Sequence, residues 1–186
     1  MHREGVCRTS SSRYDPDALD DTLAHITNHC VQERGAHFSK HEPGNELFFE
    51  EFDRVLRESA RMSFSENVWP QLRRIVRHVA AAARDALAPA TVERGGGGGV
   101  GGGGGGALGW QLFGFDFLLD AEQRAHLLEV NGSPAIADAL RAKITTDLAR
   151  ALLARLGGVS QPATHADADA RAQAVAGDFV LVYSPT

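Results

Sequence analysis

At 186 residues, 43% apolar and with a formal net charge of -5, the chain is long enough for its own core, and its scattered basic residues form no footprint for nucleic acid or an anionic membrane. Its two cysteines, Cys7 and Cys30, exclude a disulfide framework, and the N-terminus lacks the pattern of a secretory signal, so a soluble protein in a reducing, cytoplasmic setting is expected. No uninterrupted apolar run approaches the roughly 20 residues that a membrane-spanning helix requires.

From Met1 to about Gln32, turn residues such as Ser10, Ser11, Asp15 and Pro16 alternate with short apolar pieces, which predicts loop with strand fragments. After the polar connection ERGAHFSKHEPG, the run NELFFEEFDRVLRESA places Phe48, Phe52, Val55 and Leu56 at helical spacing, with acidic residues early and arginines late. A second amphipathic helix carries Val68, Leu72, Ile75, Val76, Val79, Ala83 and Leu87 on one stripe, with Pro70 in its first turn and Pro89 beyond its end. Residues 95–106 are glycine except for Val100, a composition with too little side chain to order itself, and a disordered insertion is expected there. The insertion satisfies GxGxxG trivially, but no Gly-Lys-Ser/Thr follows, so a phosphate loop is not inferred.

Trp110 to Leu119 and Arg124 to Asn131 are rich in aromatic and branched residues and are joined by a short polar turn, which predicts a β-hairpin. Ile136, Leu140, Ile144, Leu148 and Leu152 then recur every four residues, with Gly157 as the expected C-cap of a helix. The expected organisation is an α+β domain over residues 1–157, followed by a loose tail at 158–186 with a possible terminal strand at 178–183.

The chemistry concentrates in the hairpin. Residues two apart on a strand share a face, so Glu129 and Asn131 point one way and Leu128 and Val130 the other. Closing the hairpin brings Asp116 opposite Glu129 or Asn131, on the face away from Phe113, Phe115 and Phe117. Like charges set opposite each other repel unless a cation or a shared proton intervenes, and an oxygen-only set of two carboxylates and an amide suits Mg²⁺ bound together with nucleotide phosphates.

Four segments, HITNHCVQ, GNELFFEEF, QLFGFDF and LLEVNGSPA, follow in an order and spacing that resembles the tubulin-tyrosine ligase family; the likeness begins at HREGVCRTSS and is weakest after Leu156. Within that family the first two segments look more similar to tyrosine-adding members than to polyglutamylating ones. The resemblance implies the C-terminal part of an ATP-grasp fold, an antiparallel sheet packed with helices. It also implies an ATP- and Mg²⁺-dependent ligase, associated with tubulin or microtubules, that adds free tyrosine to the C-terminal glutamate of α-tubulin through an acyl-phosphate. It assigns Asp116, Glu129 and Asn131 to metal, with Glu129 neutralising charge on the γ-phosphate, and it sets Thr27 and Asn28 beside the nucleotide. Arg8 of CRTSS falls near the transferred phosphate or the substrate carboxylate, where an arginine fork can make paired hydrogen bonds.

The family's earlier lobes supply phosphate-binding lysines and the adenine cleft, whereas the only lysines here, Lys40 and Lys143, match neither. The expectation is therefore the metal half of a ligase site, with a catalytically silent tubulin-binding paralogue or a glutamate- or glycine-adding ligase as alternatives. His25, His29, His37 and His41 recur every four residues, but Gly35 and Pro43 argue against one helix, so a zinc site is not inferred. Arg73, Arg74, Arg77 and Arg84 are read as a solvated helix face that could also meet an acidic tail, and Phe48, Phe49 and Phe52 as packing.

Overall fold

The structure, a computed structural model, describes residues 1–87, 110–156 and 178–179. The polyglycine insertion, Pro89, the expected C-cap Gly157 and most of the tail lie outside the described residues. Helices and small antiparallel sheets together make an α+β chain of two compact units, Met1–Pro70 with Ile136–Leu181, and Gln71–Ala135 with Val182–Thr186.

In the first unit, strand β1 (Val6–Arg8) pairs antiparallel with β2 (Glu46–Phe48), with Val6 opposite Phe48 and Arg8 opposite Glu46. The segment between them contains two four-residue helices, α1 (Thr22–His25) and α2 (His29–Gln32), where the sequence suggested only loop. Asp21 caps α1 by accepting from the Leu23 and Ala24 amides, a local side-chain bond that apolar periodicity does not report. His25 ends one helix and His29 begins the next, so the four-residue histidine spacing does not form one ligand face.

Helix α3 (Phe49–Ala60) has Glu50 and Glu51 in its first turn and Arg57 in its last, as the dipole favours, and Glu51 also accepts from the Phe48 amide at 3.1 Å. It ends on Arg61 at φ 55°, a left-handed cap filled by a non-glycine residue. A π-helical turn, Phe64–Val68, follows and is anchored by Asp53, which accepts from the Phe64 amide at 2.6 Å and the Ser63 hydroxyl at 3.1 Å. These bonds hold Phe64 against Phe49, Phe52 and Trp69, with ring centres 4.4, 5.8 and 6.1 Å away, and Val68 and Leu56 are buried beside them in sequence. Phe49 and Phe52 thus pack as the sequence suggests. A side chain at Gly5 would strike the Phe49 ring, so glycine permits this close approach.

Helix α5 (Asp138–Leu156) also belongs to the first unit, and its most buried described residue is polar: Asp147 is 5% exposed. Its carboxylate lies 3.2 Å from His2 Nε2, 3.7 Å from Lys143 Nζ and 3.5 Å from Arg150. Lys143 also pairs with Asp178, and Phe179 bridges antiparallel to His2, so the described beginning of the expected terminal strand is tied to the start of the chain.

The second unit contains most of α4 (Trp69–Leu87) and the hairpin of β3 (Gly114–Leu119) and β4 (Ala125–Asn131). On α4, Leu72 and Val76 are buried and Ile75, Val79 and Ala83 half-buried, the stripe that helical spacing predicts. Gln71 attaches this helix to the hairpin: Nε2 donates to the Gln123 carbonyl at 3.0 Å and Oε1 accepts from the Ala125 amide at 3.1 Å. The strand at Trp110–Phe113 does not form, and β3 starts only at Gly114. Among the described residues no helix is long and apolar enough to cross a membrane.

Candidate functional site

The hairpin turn is a charge-stitched loop. Asp120 accepts from the Arg124 amide at 2.8 Å, the Arg124 guanidinium at 2.7 Å and His126 Nε2 at 2.9 Å, while Gln123 takes φ 59°. The His126 bond, then those from Arg124, hold the Asp120 carboxyl well below the usual carboxylate range against the opposing effect of burial. With the turn closed this way, Phe117 faces Leu127, Phe115 faces Val130, Asp116 faces Glu129 and Gly114 faces Asn131.

The register shifts between Asp116 and Phe117, leaving Leu128 as an extra residue on β4. Strict alternation would have put Leu127 on the face of Glu129; the bulge instead gives Leu127 to the half-buried side with Phe115, Phe117 and Leu119, and leaves Leu128 62% exposed. The opposite face carries Asp116 and Glu129 side by side. Asn131 joins them: its Nδ2 donates to Asp116 Oδ2 at 2.9 Å and to Glu129 Oε1 at 3.0 Å. Gly114 is needed across from Asn131, because a Cβ there would lie 2.6 Å from Pro134 Cβ, and Gln111 additionally donates to the Gly132 carbonyl that follows Asn131.

Asp116, Glu129 and Asn131 are therefore brought together. Their donor set fits a hard divalent cation: two carboxylate oxygens converge on one point of the Asn131 amide, and a half-turn of that amide exchanges Nδ2 for Oδ1 and presents a third oxygen. Exposure on an open strand face also leaves room for the waters and phosphates that Mg²⁺ retains.

Arg8, Thr27 and Asn28 belong to the first unit. Arg8 lies on β1 with its guanidinium 3.6 Å from Glu46 directly across the pair. Thr27 is half-buried in the three-residue link between α1 and α2, and Asn28 is the exposed N-cap of α2, whose carbonyl accepts from the Val31 and Gln32 amides. Two residues not singled out by sequence connect these segments. Gln32 is fully buried and bonds Ser11, Leu23 and Ile26, and Asn45 is 5% exposed and bonds Thr9 and Ser11. Both stand inside the quoted motifs HITNHCVQ and GNELFFEEF, which was the available signal.

Among the described residues, one group of histidine and carboxylates lies within reach of a common ion: His2, Asp147 and Asp178. Lys143 already places its ammonium against both of these aspartates, so the charge is neutralised from within the chain.

The chain is similar in sequence to several known proteins. The chain is 26% identical to the probable tubulin polyglutamylase ttll-9 of Caenorhabditis elegans over 142 residues, 73% of this chain and 28% of that protein. It is 25% identical to human tubulin polyglutamylase TTLL6 over 139 residues and 22% identical to human protein monoglycylase TTLL8 over 143, in each case 73% of this chain and 15% of the relative. The chain thus spans less than a third of the length of the curated relatives it matches here. The family model described as the tubulin-tyrosine ligase family matches residues 1–168, and the chain belongs to that family.

Proposed function

We propose that this chain is the metal-binding part of an ATP-grasp ligase that joins an amino acid to tubulin, with glutamate as the added amino acid. The observation that carries the reading is the convergence of Asp116, Glu129 and Asn131 on one exposed strand face, two like charges held opposite each other with an amide between them. Such a pair costs stability in a sheet, and a divalent cation turns that cost into binding.

In this reading Asp116, Glu129 and Asn131 hold Mg²⁺. When bound, the ion supplies positive charge to the phosphates of ATP and to the oxygens between which the phosphoryl group moves. Glu129, directly opposite Asp116, orients the ion. Thr27 and Asn28 lie beside the nucleotide. Arg8 exchanges its partner Glu46 for a phosphate or for the acceptor carboxylate and orients it by its planar fork. Lys143 is committed to Asp147 and Asp178 and in this reading does not grip phosphate.

Glutamate is favoured over tyrosine because the relatives named above are polyglutamylases and a glycylase. Tyrosine is the second reading, on the strength of HITNHCVQ and GNELFFEEF. The test is incorporation of labelled amino acid into purified tubulin by the protein carrying this chain, with MgATP and glutamate, glycine or tyrosine in separate reactions. Glutamate incorporation is expected. Tyrosine incorporation instead would replace the main reading with the second, and no incorporation of any of the three would remove the ligase reading.

A further inference from the structure

We propose that Gln32 and Asn45 are positioning residues: a buried amide pair that locks the loop following Arg8 to the link containing Thr27 and Asn28, so that the two approach the nucleotide as one rigid piece. The proposal rests on the reading above for what the locked piece does, but not for the lock itself.

Gln32 is 0% exposed on a helix of only four residues, where an apolar side chain would gain more from burial. Its amide is instead fully used. Oε1 accepts from the Ser11 amide at 2.7 Å and from Asn45 Nδ2 at 3.4 Å, and Nε2 donates to the carbonyls of Leu23 at 2.9 Å and Ile26 at 2.6 Å. Two acceptor and two donor positions exhaust what an amide offers. Asn45 completes the pair from the other side. Its Nδ2 donates to the Thr9 carbonyl at 3.2 Å and Ser11 Oγ at 2.9 Å, its Oδ1 accepts from the Ser39 amide at 2.8 Å, and its backbone carbonyl accepts from Thr9 at 2.9 Å. To reach these partners Asn45 takes φ 55°, a left-handed conformation that asparagine tolerates better than most residues.

The partners are the backbones of two segments far apart in sequence. Thr9 and Ser11 follow Arg8, and Ile26 immediately precedes Thr27 and Asn28. The Ser10 hydroxyl also donates to the Leu23 carbonyl, and the Gln32 amide adds the bonds from Ser11 on one side and to Leu23 and Ile26 on the other that join the two segments. Displacing the Gln32 amide would loosen both loops, and a shift of about 1 Å at a group contacting substrate is enough to cost up to about a hundredfold in rate.

The experiment uses the protein carrying this chain, its Gln32→Met variant, which keeps volume but has no amide, and Leu56→Ala as a control that loosens the same unit from a core position on α3. Amide hydrogen exchange and MgATP affinity are measured on all three. In Gln32→Met, exchange over 9–12 and 23–28 should rise together by about tenfold beyond that of the control, and MgATP affinity should fall by about tenfold while the control stays within about twofold. Exchange that rises in neither loop, or no more than in the control, overturns the lock whatever the nucleotide does. Loosened loops with unchanged MgATP affinity reduce the pair to a structural role and overturn the positioning. A wild-type protein that binds no MgATP refutes the nucleotide assignment, and exchange alone then decides the lock. Should Gln32→Met not fold, Gln32→Glu keeps the acceptor for Ser11 and sets oxygens against the Leu23 and Ile26 carbonyls, so exchange over 23–28 should rise beyond that of the control; no rise there would overturn the proposal.

Discussion

Asp116 and Glu129 stand directly opposite each other on an antiparallel pair, one position before the register breaks at Leu128. The bulge decides what surrounds them, because it turns Leu127 away from the acidic face and leaves that face to oxygen and nitrogen donors.

Removing one of the facing charges separates metal binding from folding. Glu129→Gln relieves a cross-strand repulsion of about 0.2–1 kcal/mol, so the chain without added metal should melt at the same temperature or slightly higher. Added Mg²⁺ at about ten times its dissociation constant should stabilise the wild-type chain by roughly 1.4 kcal/mol through mass action and leave the variant unmoved. Thermal melts across a Mg²⁺ series check this, and an equal shift in both proteins would remove Glu129 from the metal set.

Acid sensitivity should trace to Asp53. The Arg57 hydrogen bond, reinforced by Ser63 and the Phe64 amide and opposed by burial, holds its carboxyl below the usual range. A depressed folded-state value means that the stabilisation is present above the ordinary carboxylate value near about 3.9 and is lost as pH falls through the lower folded value. Asp53→Asn should therefore lower the melting temperature at neutral pH and show a shallower fall below about pH 4 than the wild type does. Asp120, depressed first by its His126 bond, contributes in the same direction, and Asp120→Asn should give a second, additive flattening.

Burial, then the Glu42 charge, push the Cys7 thiol up to about 11, whereas Cys30 is exposed. Against an ordinary thiol near about 8.5, Cys7 should present about a hundredfold less thiolate at pH 8 and alkylate correspondingly slowly. Mass spectrometry of a brief iodoacetamide pulse should find Cys30 modified and Cys7 intact; the reverse order would contradict the raised thiol of half-buried Cys7. The raised value also has a sign: the stabilisation is complete below the ordinary thiol value and is lost as pH climbs through about 11.

Much of the second unit is legible in the residues. The stripe of Leu72 and Val76, the hairpin, and the opposition of Asp116 to Glu129 follow from side-chain periods of 3.6 and 2, which are properties of the local backbone. The oxygen donors that converge there were readable for the same reason. The first unit was legible only in part: the periodic helix α3 was, but α1 and α2 are too short to show a period and depend on the Asp21 cap and on Gln32.

By itself, then, the sequence determined the periodic elements, the acidic pair and the family to which its ordered motifs belong. Only the tertiary structure decided that Leu128 bulges out, that Arg8 rests on Glu46, that Lys143 serves Asp147 and Asp178, and that Gln32 is buried at all. The reason is physical. A period is set by neighbours along the chain, whereas a bulge, an ion pair or a buried amide depends on which distant backbone groups arrive without a partner, and that is settled when the segments meet.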